Sequence, residues 1–306
     1  MVLSINAEVF YMKNTIFTGC GVATVTPMRS DGSVNLKKYA DHIDELIQKG
    51  VDAIIVNGTT GESATLSDEE QYNIICCAKD VIKHRVPLIA GAGSNNTHHA
   101  AKLALNARNA GADAVLSVTP YYNKANESGI LEHYSFITKY CQLPTIVYNV
   151  PSRTGLNIKP ETYAKLAENP FVCAIKEASG NLAQAERTLY LCGDKIDIYS
   201  GSDELTVPFL SIGAKGVISV AANVVPKEMQ KLCSLYFEGN YIESARKQIE
   251  LIPLIEAFFS DINPIPIKEV LNMLGKDFGP CRLPLYEMEN LKKEQLKNVL
   301  KSHGLL

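Results

Sequence analysis

The sequence predicts an α/β fold, a (β/α)8 barrel (TIM barrel) with a C-terminal helical appendage. Short β-branched runs alternate with longer amphipathic stretches at intervals of about 25–35 residues, and eight such pairs follow one another. Each run is almost continuously hydrophobic, which is typical of parallel strands covered by helices. Eight units within about 210 residues favour a closed barrel. An open doubly wound sheet is the alternative, weakened because no G-x-G-x-x-G follows the first strand.

These patterns place the elements along the chain. The predicted strands are Val22–Thr26, Ala53–Asn57, Leu88–Ala92, Ala114–Thr119, Thr145–Asn149, Val172–Lys176, Ile196–Ser200 and Gly216–Val220. Capping residues and apolar periodicity predict helices over Leu36–Lys49, Asp68–His84 and Thr97–Ala110. After Pro226 only helical patterns remain, over Lys227–Glu238, Tyr241–Phe259, Pro266–Leu274 and Leu291–Ser302. We therefore expect a catalytic barrel over residues 1–225, with a short N-terminal extension at 1–14, and a helical domain over 226–306.

The composition excludes several classes of protein. A formal net charge of −3 over 306 residues provides no basic surface of the kind that binds nucleic acid or an anionic membrane. No apolar run approaches the ~18 residues needed to span a bilayer, and the first residues do not resemble a signal peptide. The 8 cysteines form no C-x-x-C pair, which predicts a reducing, cytoplasmic setting. No spacing of His, Cys and Asp suits zinc, so no metal is expected.

Lys176 is the most informative residue, because it closes the apolar run 171–175. Burying an ammonium costs several kcal/mol unless the amine is paired or neutral. A neutral lysine amine is a nucleophile that forms Schiff bases with carbonyl compounds. The ordinary alternative is a lysine that extends out of the strand end or pairs with Glu177.

The carboxyl ends of the predicted strands, where the active sites of such barrels lie, carry further candidates. Threonines between glycines can bind a carboxylate, a phenol can relay protons, and an arginine can clamp a carboxylate. Each also has a structural alternative: a tight turn, a packing wedge, a core tyrosine or a solvated arginine. In order along the chain, the candidates are Thr59, Thr60, Tyr121, Tyr122, Tyr148, Arg153 and Lys176.

Five strings in the chain resemble those of the dihydrodipicolinate synthase family, in the N-acetylneuraminate lyase superfamily of class I aldolases. They are GTTGES (58–63), TPYY (119–122), YNVPSRTG (148–155), IKEAS (175–179) and GVISV (216–220). Their order and spacing agree with the family from about Phe17 to Leu306, including the C-terminal segment NPIPIKEVLNMLG. The resemblance implies condensation of pyruvate with L-aspartate 4-semialdehyde, in lysine biosynthesis.

The resemblance also implies the role of each site residue. Lys176 forms the Schiff base, while Tyr148, Thr59 and Tyr122 relay protons, with Tyr122 supplied by a neighbouring subunit. Thr60 holds the carboxylate of pyruvate together with Thr59, and Arg153 binds that of the aldehyde. Gly201 and Ile218 contribute carbonyls near the lysine. No cofactor is implied, and the expected assembly is a homotetramer, a dimer of dimers.

One pocket departs from the pattern of the family's lysine-inhibited members. They carry two histidines after GTTGES and a glutamate after strand 3, whereas this chain has Asp68, Gln71 and His99 there. The remaining pocket residues are kept, namely Ser63, Ala64, Asn95 and Tyr121. Losing the carboxylate that pairs with the lysine ammonium costs about 1.5–3 kcal/mol. We therefore expect this allosteric pocket to be vestigial and inhibition by lysine to be weak or absent.

Two other functions fit parts of this pattern. A sugar-acid aldolase of the same superfamily, acting on N-acetylneuraminate or a 2-keto-3-deoxy acid, would share the lysine and the tyrosine. Arg153 and the TPYY string favour the synthase instead, because they suit a short aldehyde that carries a carboxylate. A non-catalytic barrel that senses pyruvate or amino acids is expected to lose Lys176 or Tyr148, and this chain keeps both.

Overall fold

The chain folds into a closed barrel of eight parallel strands, as a computed structural model that describes residues 15–306 shows. Each strand pairs with the next, and β8 pairs with β1 through the register Gly19↔Gly216, which closes the ring. The (β/α)8 prediction is therefore confirmed, and the open sheet is excluded. The strands are β1 (Gly19–Ala23), β2 (Ala53–Val56), β3 (Leu88–Gly91), β4 (Ala114–Val118), β5 (Thr145–Asn149), β6 (Val172–Glu177), β7 (Asp197–Ser200) and β8 (Gly216–Ser219).

Helices surround the barrel and continue beyond it. Those between the strands are α1 (Leu36–Gln48), α2 (Asp68–Ile82), α3 (Thr97–Asn109), α4 (Glu127–Cys141), α5 (Pro151–Thr154), α6 (Pro160–Leu166), α7 (Leu182–Cys192) and α8 (Thr206–Ser211). After β8 come α9 (Pro226–Phe237), α10 (Tyr241–Phe258), α11 (Ile265–Met273) and α12 (Asn290–Ser302). Within residues 15–306 no helix combines the length and apolar character needed to cross a membrane.

Side-chain caps start the helices where the sequence predicts them. Asn35 accepts a hydrogen bond from the backbone N–H of Lys38, at the start of α1. Ser67 and Glu70 form a reciprocal capping box at the start of α2. Each cap satisfies backbone donors that the first helical turn leaves without a partner. The loop that precedes α2 carries the GTTGES string, so this cap also fixes one end of that loop.

The first strand begins earlier than predicted, at Gly19 rather than Val22. Glycine disfavours strands in general, and both Gly19 and Gly21 lie outside the predicted strand Val22–Thr26. The tight closure of the barrel requires glycine here: a Cβ on Gly216 would lie 1.9 Å from the carbonyl oxygen of Gly19. A Cβ on Gly21 would lie 2.8 Å from the side chains of both Ile55 and Phe17. Backbone approach therefore overrides strand propensity at this seam.

A cluster of inward-facing side chains fills the barrel and closes it at the amino ends of the strands. Phe17 stacks on Tyr199 with ring centroids 4.3 Å apart, and the Tyr199 hydroxyl donates to the Phe17 carbonyl at 2.7 Å. Ala174, Tyr148 and Ile218 belong to the same inner cluster. Alternation along β6 places Lys176 on the inner face with Ala174, whereas Ile175 packs outward.

The C-terminal helices pack directly on the barrel. Helix α9 lies against β1 and α8, and α10 packs on α9 and α12. The chain between α10 and α12 returns to the carboxyl ends of the strands, where Asn263 and Lys268 bond to the loop after β2. This return positions part of the candidate site.

Candidate active site

Lys176 and Tyr148 meet at the centre of the barrel mouth. They are register partners on β6 and β5, and the Nζ of Lys176 lies 4.4 Å from the centroid of the Tyr148 ring. Only 5% of Lys176 is exposed. Glu177 is not its partner, since that carboxylate accepts hydrogen bonds from Asn149 and from the backbone N–H of Ser179. Lys176 is therefore a buried amine beside a phenol. It neither extends out of the strand end into solvent nor pairs with Glu177.

The environment of Lys176 favours a neutral amine. Burial lowers the pKa of its ammonium to about 8, and the nearby Asp203 carboxylate opposes this shift. The positive charge of Arg153 contributes further to the lowering. A substantial fraction of the amine is thus neutral near pH 8, as attack on a ketone requires.

Tyr148 and Thr59 form a hydrogen-bonded pair on neighbouring sides of the site. Burial raises the pKa of the Tyr148 phenol, while Arg153 and the hydrogen bond with Thr59 oppose that rise. Thr59 lies in the turn after β2, where Gly61 and Glu62 donate to the carbonyls of Gly58 and Thr59 at 3.1 Å. A phenol joined to a hydroxyl in this way can pass a proton between the Lys176 region and the cleft.

Asn263, which has no predicted role, joins Thr60 and Arg153. Asn263 donates from Nδ2 to the Thr60 hydroxyl at 3.0 Å and accepts from Arg153 Nη2 through its backbone carbonyl at 3.3 Å. Asn263 opens the NPIPIKEV string, which was recognised only as part of the resemblance. Its distance of 203 residues from Thr60 leaves no local pattern that could place it here.

Gly201 lies close to Lys176, and Ile218 lies on the neighbouring strand β8. A Cβ on Gly201 would lie 3.2 Å from Cε of Lys176 and 3.0 Å from the carbonyl oxygen of Glu177. Only glycine lets the end of β7 approach the lysine this closely. Ile218 is buried on β8 within the inner cluster. Asp203, which follows Gly201, accepts hydrogen bonds from the backbone of Val220 and Ala221 at 3.0 Å.

Of the three residues predicted to relay protons, Tyr122 is the one that does not lie with the others in this chain. Its side chain is 91% exposed, and its backbone adopts φ +67°. This left-handed conformation is uncommon for a bulky residue. The structure therefore holds Tyr148 and Thr59 together and presents Tyr122 to the outside.

A cleft of about 400 Å³ connects the site with most of the predicted allosteric pocket. Thr59, Arg153 and Asn263 line it at one end, and Ser63, Ala64, Gln71, His99 and Tyr121 line it elsewhere. Asp68 lies behind His99, 2.9 Å from its Nε2, and pairs with Lys102 at 2.7 Å. Asn95 is outside the lining and accepts from Asn123 through its carbonyl at 2.9 Å.

A barrel that buries a lysine of lowered pKa beside a tyrosine defines the class of the protein, the class I aldolases, which work through a lysine Schiff base. Within residues 15–306 no group of three His, Cys, Asp or Glu side chains could hold a metal ion. The chain belongs to the Dihydrodipicolinate synthetase family, whose sequence profile matches residues 16–303. The resemblance stated above is thus confirmed.

Individual relatives match the chain along almost its whole length. The 4-hydroxy-tetrahydrodipicolinate synthase of Clostridium novyi (strain NT) is 49% identical over 290 residues, which are 95% of this chain and 98% of that one. A structure of the Cyanidioschyzon merolae enzyme with lysine bound is 40% identical, with a TM-score of 0.93, and the match covers 96% of this chain and 100% of that one. A structure of the chloride-inhibited Acinetobacter baumannii enzyme complexed with pyruvate is 38% identical, with a TM-score of 0.92 and coverages of 95% and 100%.

Proposed function

We propose that this protein condenses pyruvate with L-aspartate 4-semialdehyde to give 4-hydroxy-tetrahydrodipicolinate, the committed step of lysine and diaminopimelate biosynthesis. The observation that carries the proposal is the buried Lys176 amine, 4.4 Å from the Tyr148 ring and with a pKa near 8. Relatives of 42–49% identity bear the name of that synthase, and they are matched almost end to end.

The first stage is formation of the imine. The neutral Nζ of Lys176 adds to the ketone carbon of pyruvate, and the ketone oxygen takes up protons and leaves as water. Tyr148, beside the amine, serves as proton donor and acceptor, and Thr59 connects it to the cleft. The hydroxyl groups and backbone of Thr59 and Thr60 hold the pyruvate carboxylate at the turn after β2.

The second stage is formation of the carbon–carbon bond. The iminium withdraws electrons, so the methyl carbon of pyruvate loses a proton and becomes an enamine carbon. This carbon attacks the aldehyde, whose oxygen takes a proton and becomes a hydroxyl. Arg153 clamps the carboxylate of the aldehyde substrate and is itself held by Asn263. The amino group of that substrate then displaces Lys176 and closes the ring.

Reduction with borohydride in the presence of pyruvate tests the proposal directly. Peptide mass mapping is expected to show a pyruvate-derived adduct on Lys176 and none in the Lys176→Ala variant. An intact protein that binds pyruvate without a covalent adduct would instead support the non-catalytic sensing barrel. Steady-state rates with aspartate semialdehyde, compared with N-acetylneuraminate and a 2-keto-3-deoxy acid, separate the synthase from a sugar-acid aldolase.

We further propose that the active form is a homotetramer, a dimer of dimers, in the cytoplasm. An aromatic side chain that is 91% exposed in a left-handed backbone conformation suits a contact with a second subunit. Free thiols at Cys20, Cys76, Cys77, Cys141, Cys233 and Cys281 suit a reducing compartment. Light scattering of the purified protein distinguishes the tetramer from a dimer.

A further inference from the structure

The turn that carries Thr59 ends in a buried ion pair that the reaction chemistry does not use. The Lys268 ammonium on α11 donates to the Glu62 carboxylate at 2.6 Å, and the two side chains are 2% and 0% exposed. The second oxygen of Glu62 accepts from the backbone N–H of Arg282 at 2.8 Å, and Lys268 also donates to the Pro280 carbonyl at 2.8 Å. The charges are thus paired and hydrogen-bonded from both sides.

The backbone of this turn needs an anchor. Glu62 has φ +59°, in the left-handed region that bulky residues rarely adopt, and Asn57 at the other end has φ +53°. Thr59 lies between them. Backbone hydrogen bonds inside the turn set its shape. The Thr26 hydroxyl also donates to the Gly61 carbonyl at 2.7 Å. The side chain of Glu62 ties this end of the turn to α11 and to Arg282.

We propose that the Glu62–Lys268 ion pair is a positioning device for proton transfer, which holds the turn so that Thr59 keeps its hydrogen bond with Tyr148. Thr60, the adjacent residue, has a tether of its own in Asn263. Loss of the ion pair therefore affects the proton relay more than the binding of the pyruvate carboxylate. This inference rests on the proposed function, because its main readout is turnover.

The test removes both charges together, as Glu62→Gln with Lys268→Met, so that neither is left buried without its partner. We expect kcat to fall about tenfold or more, in proportion to the weakened proton transfer, with KM for pyruvate changed less than about threefold. Glu62→Gln alone is the second variant, since it keeps the shape of the side chain. Turnover is expressed per site trapped with pyruvate and borohydride, so that incomplete folding does not enter kcat.

A matched pair provides the control. Lys276 pairs with Glu45 at 2.6 Å and joins the same C-terminal segment to α1, away from Thr59. Glu45→Gln with Lys276→Met is expected to lower the melting temperature and to leave kcat unchanged. An equal loss of kcat in this control would assign the Glu62–Lys268 effect to general loosening and overturn the proposal.

The decisive measurement is a double-mutant cycle, in which kcat is compared with and without the ion pair in the wild-type and Thr59→Val backgrounds. If the ion pair acts through Thr59, its removal in the Thr59→Val background causes no further loss of kcat. Losses that multiply, or wild-type kcat after removal of the pair, would overturn the inference. Failure of the wild-type protein to trap pyruvate on Lys176 would instead overturn the proposed function, so the two failures are distinguishable.

Discussion

The ammonium nitrogen of Lys176 lies 4.4 Å from the centroid of the Tyr148 ring, because the two residues are register partners on adjacent parallel strands. Strand alternation turns both side chains into the barrel, where the inner cluster excludes water. The same burial lowers the pKa of the lysine and raises that of the tyrosine. One structural relationship thus prepares a neutral nucleophile beside a protonated phenol.

The rate of imine formation is expected to follow the titration of Lys176. Its pKa is about 8, so the rate should rise with pH about tenfold per unit below that value and level off above it, because only the neutral amine attacks. The initial rate at which borohydride traps pyruvate on the protein, recorded over a range of pH, gives the inflection. Asp203→Asn should move the inflection to lower pH, since its carboxylate raises the pKa of Lys176.

The control for that shift is Glu243→Gln, an exposed carboxylate on α10. The pH dependence of imine formation in Glu243→Gln should have the same inflection as that of the wild-type protein. The substitution at Asp203 keeps an oxygen that can accept from Val220 and Ala221, so the local fold should persist. An unchanged inflection in Asp203→Asn would show that this carboxylate does not influence the lysine.

Stability should show the energetic cost of burying Lys176. The pKa of the lysine is lower in the folded state than in the unfolded chain, so folding is penalised wherever the unfolded lysine is protonated. The full penalty, about 3 kcal/mol, applies below pH 8 and disappears as pH rises towards 10. Lys176→Met should therefore raise the free energy of unfolding at pH 7, and its advantage should shrink above pH 8. Urea denaturation at pH 7 and pH 9.5 measures the difference, and a less stable variant at pH 7 would contradict it.

Removal of either hydroxyl in the Tyr148–Thr59 pair should slow turnover and leave the lysine reactive. Tyr148→Phe is expected to lower kcat by about 10²–10⁴-fold, the range typical of a lost acid or base. Thr59→Val should have a smaller effect, because Tyr148 keeps its own hydroxyl. Both variants should still trap pyruvate, although slowly. Steady-state kinetics measures the losses, and wild-type turnover in Tyr148→Phe would remove this residue from the proton path.

The site residues at the strand ends were predictable from the sequence, whereas the distant residues that hold them in place through hydrogen bonds and an ion pair were not. Lys176 stands out because a charge closes an apolar strand, and a closed barrel brings such ends to one face. Asn263 and Lys268 lie more than 200 residues from the partners that they hold, so no local periodicity reveals those bonds. The start of β1 was also missed, because glycine propensity says nothing about how closely Gly19 and Gly216 approach.

Lysine should inhibit the enzyme weakly or not at all. By the resemblance, His99 takes the position of a carboxylate in lysine-inhibited members. The nearby Asp68 is already paired with Lys102 and His99. A cationic ammonium therefore gains no unpaired carboxylate in this part of the cleft. A lysine titration of the steady-state rate is expected to show no sub-millimolar inhibition.

His99→Glu tests the physical reason for this insensitivity. A carboxylate restored at this position should tighten lysine binding about tenfold or more, as a charge-assisted hydrogen bond would. His98→Glu is the matched control, because it adds the same charge to the exposed side of α3. Equal inhibition in the two variants would show that general charge, and not the pocket, attracts lysine.

Subunit complementation should show whether Tyr122 acts in a neighbouring site. In one chain Tyr122 is 91% exposed, whereas Tyr148 and Thr59 are joined at the mouth of the barrel. Tyr122→Ala and Lys176→Ala homomers should both have low activity. If Tyr122 serves the partner's site, a mixed dimer regains one intact site, which combines Lys176 of one subunit with Tyr122 of the other. Unfolding, mixing and refolding the two variants should then restore activity well above either parent, whereas action within one chain would restore none.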